Sequence, residues 1–204
     1  DLRVPGMLHA ALHLTDHARA DIVAIDVAAA LAAPGVDAVL TADDVPGARH
    51  YGLEVPDQPV LADDEIRYQG EAVAVVAADH PETARRAAAR IAVEYRVLPP
   101  VTDPEAALAA GHLVRHVPVR RGDPDATAEV VVTGEYQVGM QDQAFLGPES
   151  GLAVPAPDGG VDLFVATQWL HVDQRQVAAA LGLPPERVRL TLAGVGGAFG
   201  ARED

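Results

Sequence analysis

The residues best able to do chemistry stand at the end of the chain. Gly194, Gly196 and Gly200 form a GxGxxxG run directly after the apolar stretch 188–193. Glycines so placed let backbone N–H groups approach an anion closely, and the run resembles a loop that cradles phosphate. That chemistry also asks for a helix after the loop and an acid about 20 residues on. A plain glycine-rich turn fits the same residues. Upstream, Gln141-Asp142-Gln143 lies beside apolar Ala144-Phe145-Leu146, where an amide either orients a ligand or turns the chain. Two histidine pairs, His9/His13 and His112/His116, have metal-ligand identity at i,i+4 spacing. Only a helix brings such a pair onto one ion. Residues 8–14 read as a strand, in which i and i+4 stand about 13 Å apart. The second pair lacks a third ligand, so ordinary surface or edge histidines are the better reading for both.

Other chemistries fall away. Glu149-Ser150-Gly151 precedes a strand and lacks the G-x-S-x-G turn of a serine nucleophile. Asp63-Asp64-Glu65 reads as a solvated turn, and the single Trp169 as a core or interface residue. Cysteine is absent, which removes thiol nucleophiles, thiolate zinc sites and iron–sulfur ligation from this chain. All 15 basic residues are Arg, so no lysine Schiff base can form.

The elements that must position these residues read as α+β. Residues 8–14 and 21–27 alternate as strands, 28–33 form a short helix ended by Pro34-Gly35, and 36–40 make another strand. Thr41 caps a helical turn, and 46–63 read as a long surface loop. The small-apolar run 70–78 is a strand buried on both faces. His80-Pro81-Glu82 opens a helix, which gives way to strand 91–97. From 101 to 127 the composition turns polar and Pro-rich around one short helix, 105–110, and reads as a connector. A second apolar pattern covers 128–138, 151–155 and 161–166, the last two joined as a hairpin by Asp158-Gly159-Gly160. Residues 172–181 form a helix closed by Gly182, and 188–193 a final strand.

Composition sets the bounds. A chain of 204 residues that is 49% hydrophobic can bury a core and makes one large domain or two small ones. Thirty acidic against 15 basic residues give a formal charge of −15, which argues against nucleic acid as a partner. No apolar run approaches the roughly 20 residues of a membrane span, so no membrane role is expected.

Particular segments carry a family resemblance. Val4-Pro5-Gly6-Met7-Leu8-His9-Ala10, residues 34–46, Pro59-Val60-Leu61-Ala62, Ile66-Arg67-Tyr68-Gln69-Gly70-Glu71 and Val93-Glu94-Tyr95 look like the α/β-hammerhead domain of the xanthine dehydrogenase/aldehyde oxidase molybdenum hydroxylases. Gly134-Glu135-Tyr136, residues 143–149, Thr167-Gln168 and residues 196–203 are similar to the opening of that family's molybdopterin-binding domain. The resemblance implies a hammerhead domain over 1–100, a connector over 101–127, and the first part of the cofactor domain over 128–204. It implies a longer parent, with the family's base glutamate past Asp204 and no catalytic residue within this stretch.

Carried over by position, Gln143 would face the molybdenum's apical ligand. Gly197, Phe199 and Gly200 would supply backbone beside the cofactor, with no residue ligating the metal directly. Glu203 falls where purine hydroxylases hold substrate with a glutamate. The implied activity is hydroxylation of a purine, another N-heterocycle or an aldehyde, with water as the oxygen source. Iron–sulfur clusters and FAD are implied on other segments or subunits, in a cytoplasmic enzyme for which a homo-oligomer is compatible. Departures from the family pattern are Gly200-Ala201 in place of a glycine pair, Gln143-Ala144-Phe145 in place of Gln-Glu-His, and the Gly147-Pro148 stretch. A reading from another class is a non-catalytic structural or subunit-contact module with no activity of its own. For the chain alone, 194–204 is expected to be mobile or to pack irregularly, with apolar surface exposed near Phe199 and Trp169.

Overall fold

The computed structural model describes residues 2–123 and 125–203; Asp1, the connector's Pro124 and Asp204 lie outside the described residues. The chain divides into two units, one formed by 1–99 with 143–204 and the other by 100–142.

In the first unit, strands β1 (His9–Leu14) and β2 (Ala20–Asp26) lead into a single-turn helix α1 (Ala28–Leu31) and strand β3 (Val36–Leu40). The stretch 46–63, expected as bare loop, instead contributes a small ladder of β4 (His50–Tyr51) against β5 (Gln58–Pro59). Its cause is local: the Val60 N–H donates to the Arg49 carbonyl at 2.9 Å, and Gln58 Nε2 donates to the Tyr51 hydroxyl at 2.7 Å. Strand β6 (Glu65–Ile66) follows, then β7 (Ala72–Ala78).

β7 lies between antiparallel β1 and β3, and that central place explains its continuous apolar run. Val73 and Val76 are fully buried, each worth about 1.5–3 kcal/mol relative to exposure. Helix α2 (Pro81–Ala88) starts as its sequence implies: His80 caps it, with ring Nδ1 accepting the Glu82 N–H at 3.1 Å. Pro81, at the first helical position, has no N–H to satisfy. The helix lays Ala87 and Ala88 against Ala30, Ala74 and Val76. β8 (Ala92–Val97) pairs with β2, whose other side takes β6. This α+β arrangement is the class read from the sequence.

The second unit holds helix α3 (Pro104–Ala109), capped by the Asp103 carboxylate, which accepts the Ala106 N–H at 2.6 Å. Residues 128–138 carry an apolar pattern but form no strand, and Val130, Val131, Val132, Tyr136 and Val138 are exposed. β-branched residues make a strand only where a neighbour completes the ladder. No described strand pairs with this stretch.

The first unit resumes with β9 (Gly151–Pro155) and β10 (Val161–Val165), an antiparallel hairpin. Its turn is held by Asp158 Oδ1, which accepts the Gly160 N–H at 2.9 Å. Helix α4 (Leu170–Leu181) then crosses over to β11 (Val188–Leu192), which runs parallel to β10 and therefore needs such a crossover. Gly182 closes α4 at φ +64°. Two carbonyls of its last turn, Ala179 and Ala180, accept the N–H groups of Ala48 and Gly47 at 2.8 and 2.9 Å. Among the described residues no helix is long and apolar enough to cross a membrane.

Candidate functional site

Three loops meet at one edge of the β9–β10–β11 sheet. Val165, at the end of β10, pairs with Gly151 at the start of β9 and with Leu192 at the end of β11. Residues 143–150 enter β9 at this edge, 166–169 leave β10, and 193–203 leave β11. The carboxyl end of a parallel strand pair is where open α/β sheets place ligands.

Arg202 joins the three. Its side chain is only 2% exposed. Nε donates to Glu149 Oε1 at 2.6 Å, Nη2 to the carbonyls of Gly147 and Pro148 at 2.6 and 3.3 Å, and Nη1 to those of Val195 and Gly197. The guanidinium lies 4.0 Å from the centre of the Phe145 ring, close enough for cation–π attraction. The Arg202 carbonyl accepts the Gln168 N–H at 2.8 Å. Phe199 and Trp169 are 76% and 40% exposed, the apolar surface expected there. The loop is tied down by an arginine whose role is invisible until the loops converge. Each carbonyl left dry without its donor would cost about 1–3 kcal/mol.

Gln168 makes the second link. Its Oε1 accepts the Gly200 N–H at 3.2 Å and its Nε2 donates to Glu203 Oε1 at 3.1 Å. One amide thus fixes both the turn after Phe199 and the direction of the Glu203 carboxylate. Thr167 supports it from behind, its hydroxyl oxygen accepting the Trp169 N–H at 3.1 Å.

The glycine loop is folded tightly. Gly196, at φ +67°, has its carbonyl bonded to the Leu146 N–H at 3.2 Å. A Cβ on it would stand 2.8 Å from the Gly147 nitrogen, so only glycine fits. Phe199 adopts φ +54° and is 76% exposed; Ala144, on the facing segment, has φ 51°. Non-glycine residues in this region are uncommon and gather where surrounding structure over-determines them. The N–H groups of 195–199 donate to no acceptor among the described residues. A run of free amides on a loop with positive-φ glycines supplies the unpaired donors that an anion nest requires. The residues present therefore fit an anionic group approached closely by backbone.

Of the residues singled out from the sequence, Gly197, Phe199, Gly200 and Glu203 come together on this edge. Gln143 stands exposed at the start of the segment, with no hydrogen bond to the loop among the described residues. The amide on the loop is that of Gln168, which the sequence marks only as part of a motif. Arg202 has no role assigned from the sequence; its one signal there is an arginine set just past a glycine run. Away from this edge, His13 on β1 bonds the Ala88 carbonyl through Nδ1 at 2.9 Å, tying the strand to α2.

Comparison with known proteins gives the family. Residues 1–99 match the a/b hammerhead domain of aldehyde oxidase and xanthine dehydrogenase, and residues 109–204 match a molybdopterin cofactor-binding domain. The chain is 34% identical to a probable xanthine dehydrogenase subunit of Bacillus subtilis, over 100% of its own length and 29% of that protein's. It is also 34% identical to the nicotinate dehydrogenase large molybdopterin subunit of Eubacterium barkeri, over 100% of this chain and 51% of the relative. Among solved structures, quinoline 2-oxidoreductase of Pseudomonas putida superposes with a TM-score of 0.85 at 32% identity, covering 99% of this chain and 28% of that one. The chain thus spans about half or less of the proteins it is compared with here.

Proposed function

Because this chain belongs to the aldehyde oxidase and xanthine dehydrogenase family, we propose that it forms part of a molybdenum hydroxylase acting on an N-heterocycle or aldehyde. The observation that carries the proposal is the three-loop edge, where a nest of free amides lies beside a carboxylate oriented by Gln168. The amides of 195–199 would hold the anionic cofactor, and Gly197 and Gly200 would keep its approach clear of side chains. When bound, that group supplies two-electron oxidation of a carbon with water as the oxygen source.

The chain's own residues serve binding and orientation. Glu203, fixed by Gln168 Nε2, accepts a hydrogen bond from a ring N–H of a purine-like substrate. Phe199, exposed on the same turn, gives a flat apolar wall for an aromatic ring. Gln168 is the amide seated to pass its orientation on to both Gly200 and Glu203, and Gln143 flanks the cofactor from the facing segment. Iron–sulfur clusters and FAD would lie on other segments or subunits and would accept the electrons there, since cluster ligation needs thiolates and this chain has none. The location is cytoplasmic.

The test is to purify the full polypeptide that carries this chain, with its electron-accepting partners, from a host that makes the cofactor. Turnover of purines, nicotinate-like rings and aldehydes is then followed in water labelled with heavy oxygen. Label in the hydroxylated product is expected; turnover with unlabelled product, or none on any of these classes, refutes the proposal.

A further inference from the structure

We propose that Arg202 is the positioning residue of this site, holding three loops in register so that the free amides, Gln168 and Glu203 face one another. The claim deepens the molybdenum hydroxylase reading and rests on it for what the site binds, though not for the pinning itself. A guanidinium has five N–H donors. Five acceptors meet Arg202: Glu149, and the carbonyls of Gly147, Pro148, Val195 and Gly197. They come from two segments some 50 residues apart in the chain. Its own carbonyl takes the Gln168 N–H, which adds the third loop.

The placement is particular to the site. The guanidinium is nearly sealed against the glycine loop, whereas Glu149, its ion-pair partner, is 64% exposed. The apolar clusters of the hammerhead half contain none of the residues it bonds. Arg202 directly precedes Glu203, so the backbone bond to Gln168 and the side-chain bond from Gln168 to Glu203 close one ring of contacts. Lys in its place offers three donors on a flexible stem and can hold only part of the set.

The test has two arms, both on the full polypeptide carrying this chain. In the first, amide hydrogen exchange is compared for wild type, Arg202→Met and Arg202→Lys. The N–H groups of Leu146, Gln168 and Gly200 are expected to exchange about tenfold faster or more in Arg202→Met, with partial rescue by Lys, while β7 amides are unchanged. If the Met variant does not fold, Arg202→Lys and Glu149→Gln carry this arm with smaller increases in the same amides. Unchanged exchange at all three amides overturns the proposal.

In the second arm, turnover per bound molybdenum is measured for Arg202→Lys. A fall of about tenfold in kcat at nearly unchanged KM is expected, because reacting groups are misplaced while binding surface remains. Loss of molybdenum content with wild-type turnover per remaining metal would show a merely structural residue and also overturns the proposal. A wild type that takes up no molybdenum sinks the molybdenum hydroxylase reading instead, and the exchange arm alone then decides the pinning.

Discussion

Replacing Gly196 by Ala probes the loop where its geometry is most constrained. At φ +67° an alanine pays the left-handed penalty of about 1–2 kcal/mol. The added Cβ would also stand 2.8 Å from the Gly147 nitrogen and 3.2 Å from its Cα. Those are backbone atoms of the facing segment and cannot swing aside, so overpacking adds about 1–3 kcal/mol. The sum, about 2–5 kcal/mol, is large beside the usual effect of a surface substitution. Gly200 supplies the control. Its φ is +88° but a Cβ there meets nothing within 4 Å, so Gly200→Ala carries only the backbone penalty, about 1–2 kcal/mol. Gly194 has neither constraint, and Gly194→Ala is expected to be neutral or stabilising by about 0.4–1 kcal/mol. Urea unfolding followed by the fluorescence of Trp169, the only tryptophan and a neighbour of the site, ranks the three. If Gly196→Ala proves as stable as Gly194→Ala, the packing of 145–149 on the glycine loop is refuted.

Glu203→Val is expected to lower purine turnover roughly 10–100-fold in the full-length enzyme and to spare aldehydes, since one charged hydrogen bond is worth about 1.5–3 kcal/mol; equal losses on both substrate classes would remove Glu203 from substrate reading. Limited proteolysis should nick first between 100 and 127, where the described residues are almost all exposed, and give an N-terminal piece of roughly half the mass on a denaturing gel; a first cut within 70–97 contradicts this. On the β9–β10 turn, the Arg189 side chain and then the Gly160 N–H hold the Asp158 carboxyl below its ordinary value of 3.8. Its contribution to stability is therefore present above that value and lost as pH falls through the lowered one. Asp158→Asn should be less stable than wild type at neutral pH, with the gap closing in urea midpoints taken below pH 3.8; a gap that persists in acid speaks against the linkage.

Local signals in the sequence carry much of the fold. The unbroken apolar run at 72–78 suits only a covered strand, His80-Pro81 opens a helix, and Gly182 marks the end of α4 to the residue. Where two partners must meet, the sequence falls short. Residues 128–138 have strand composition but no described partner, whereas 46–63 look irregular and yet form a ladder through bonds such as Val60 to Arg49. The site divides in the same way. Its glycines and Glu203 are visible as a motif, because backbone conformation and charge belong to single residues. Gln168 and Arg202 are not, because their meaning rests on contacts that include residues 32 to 55 positions away.

The central claim, that this edge holds a molybdenum cofactor, is tested most directly by the metal content of the full polypeptide carrying this chain, purified from a host that makes the cofactor. Wild type should hold near-stoichiometric molybdenum, and Gly196→Ala, which forces the facing segment off the loop, should hold much less. A well-folded wild type without molybdenum, or a Gly196→Ala variant as fully loaded as wild type, would contradict the account.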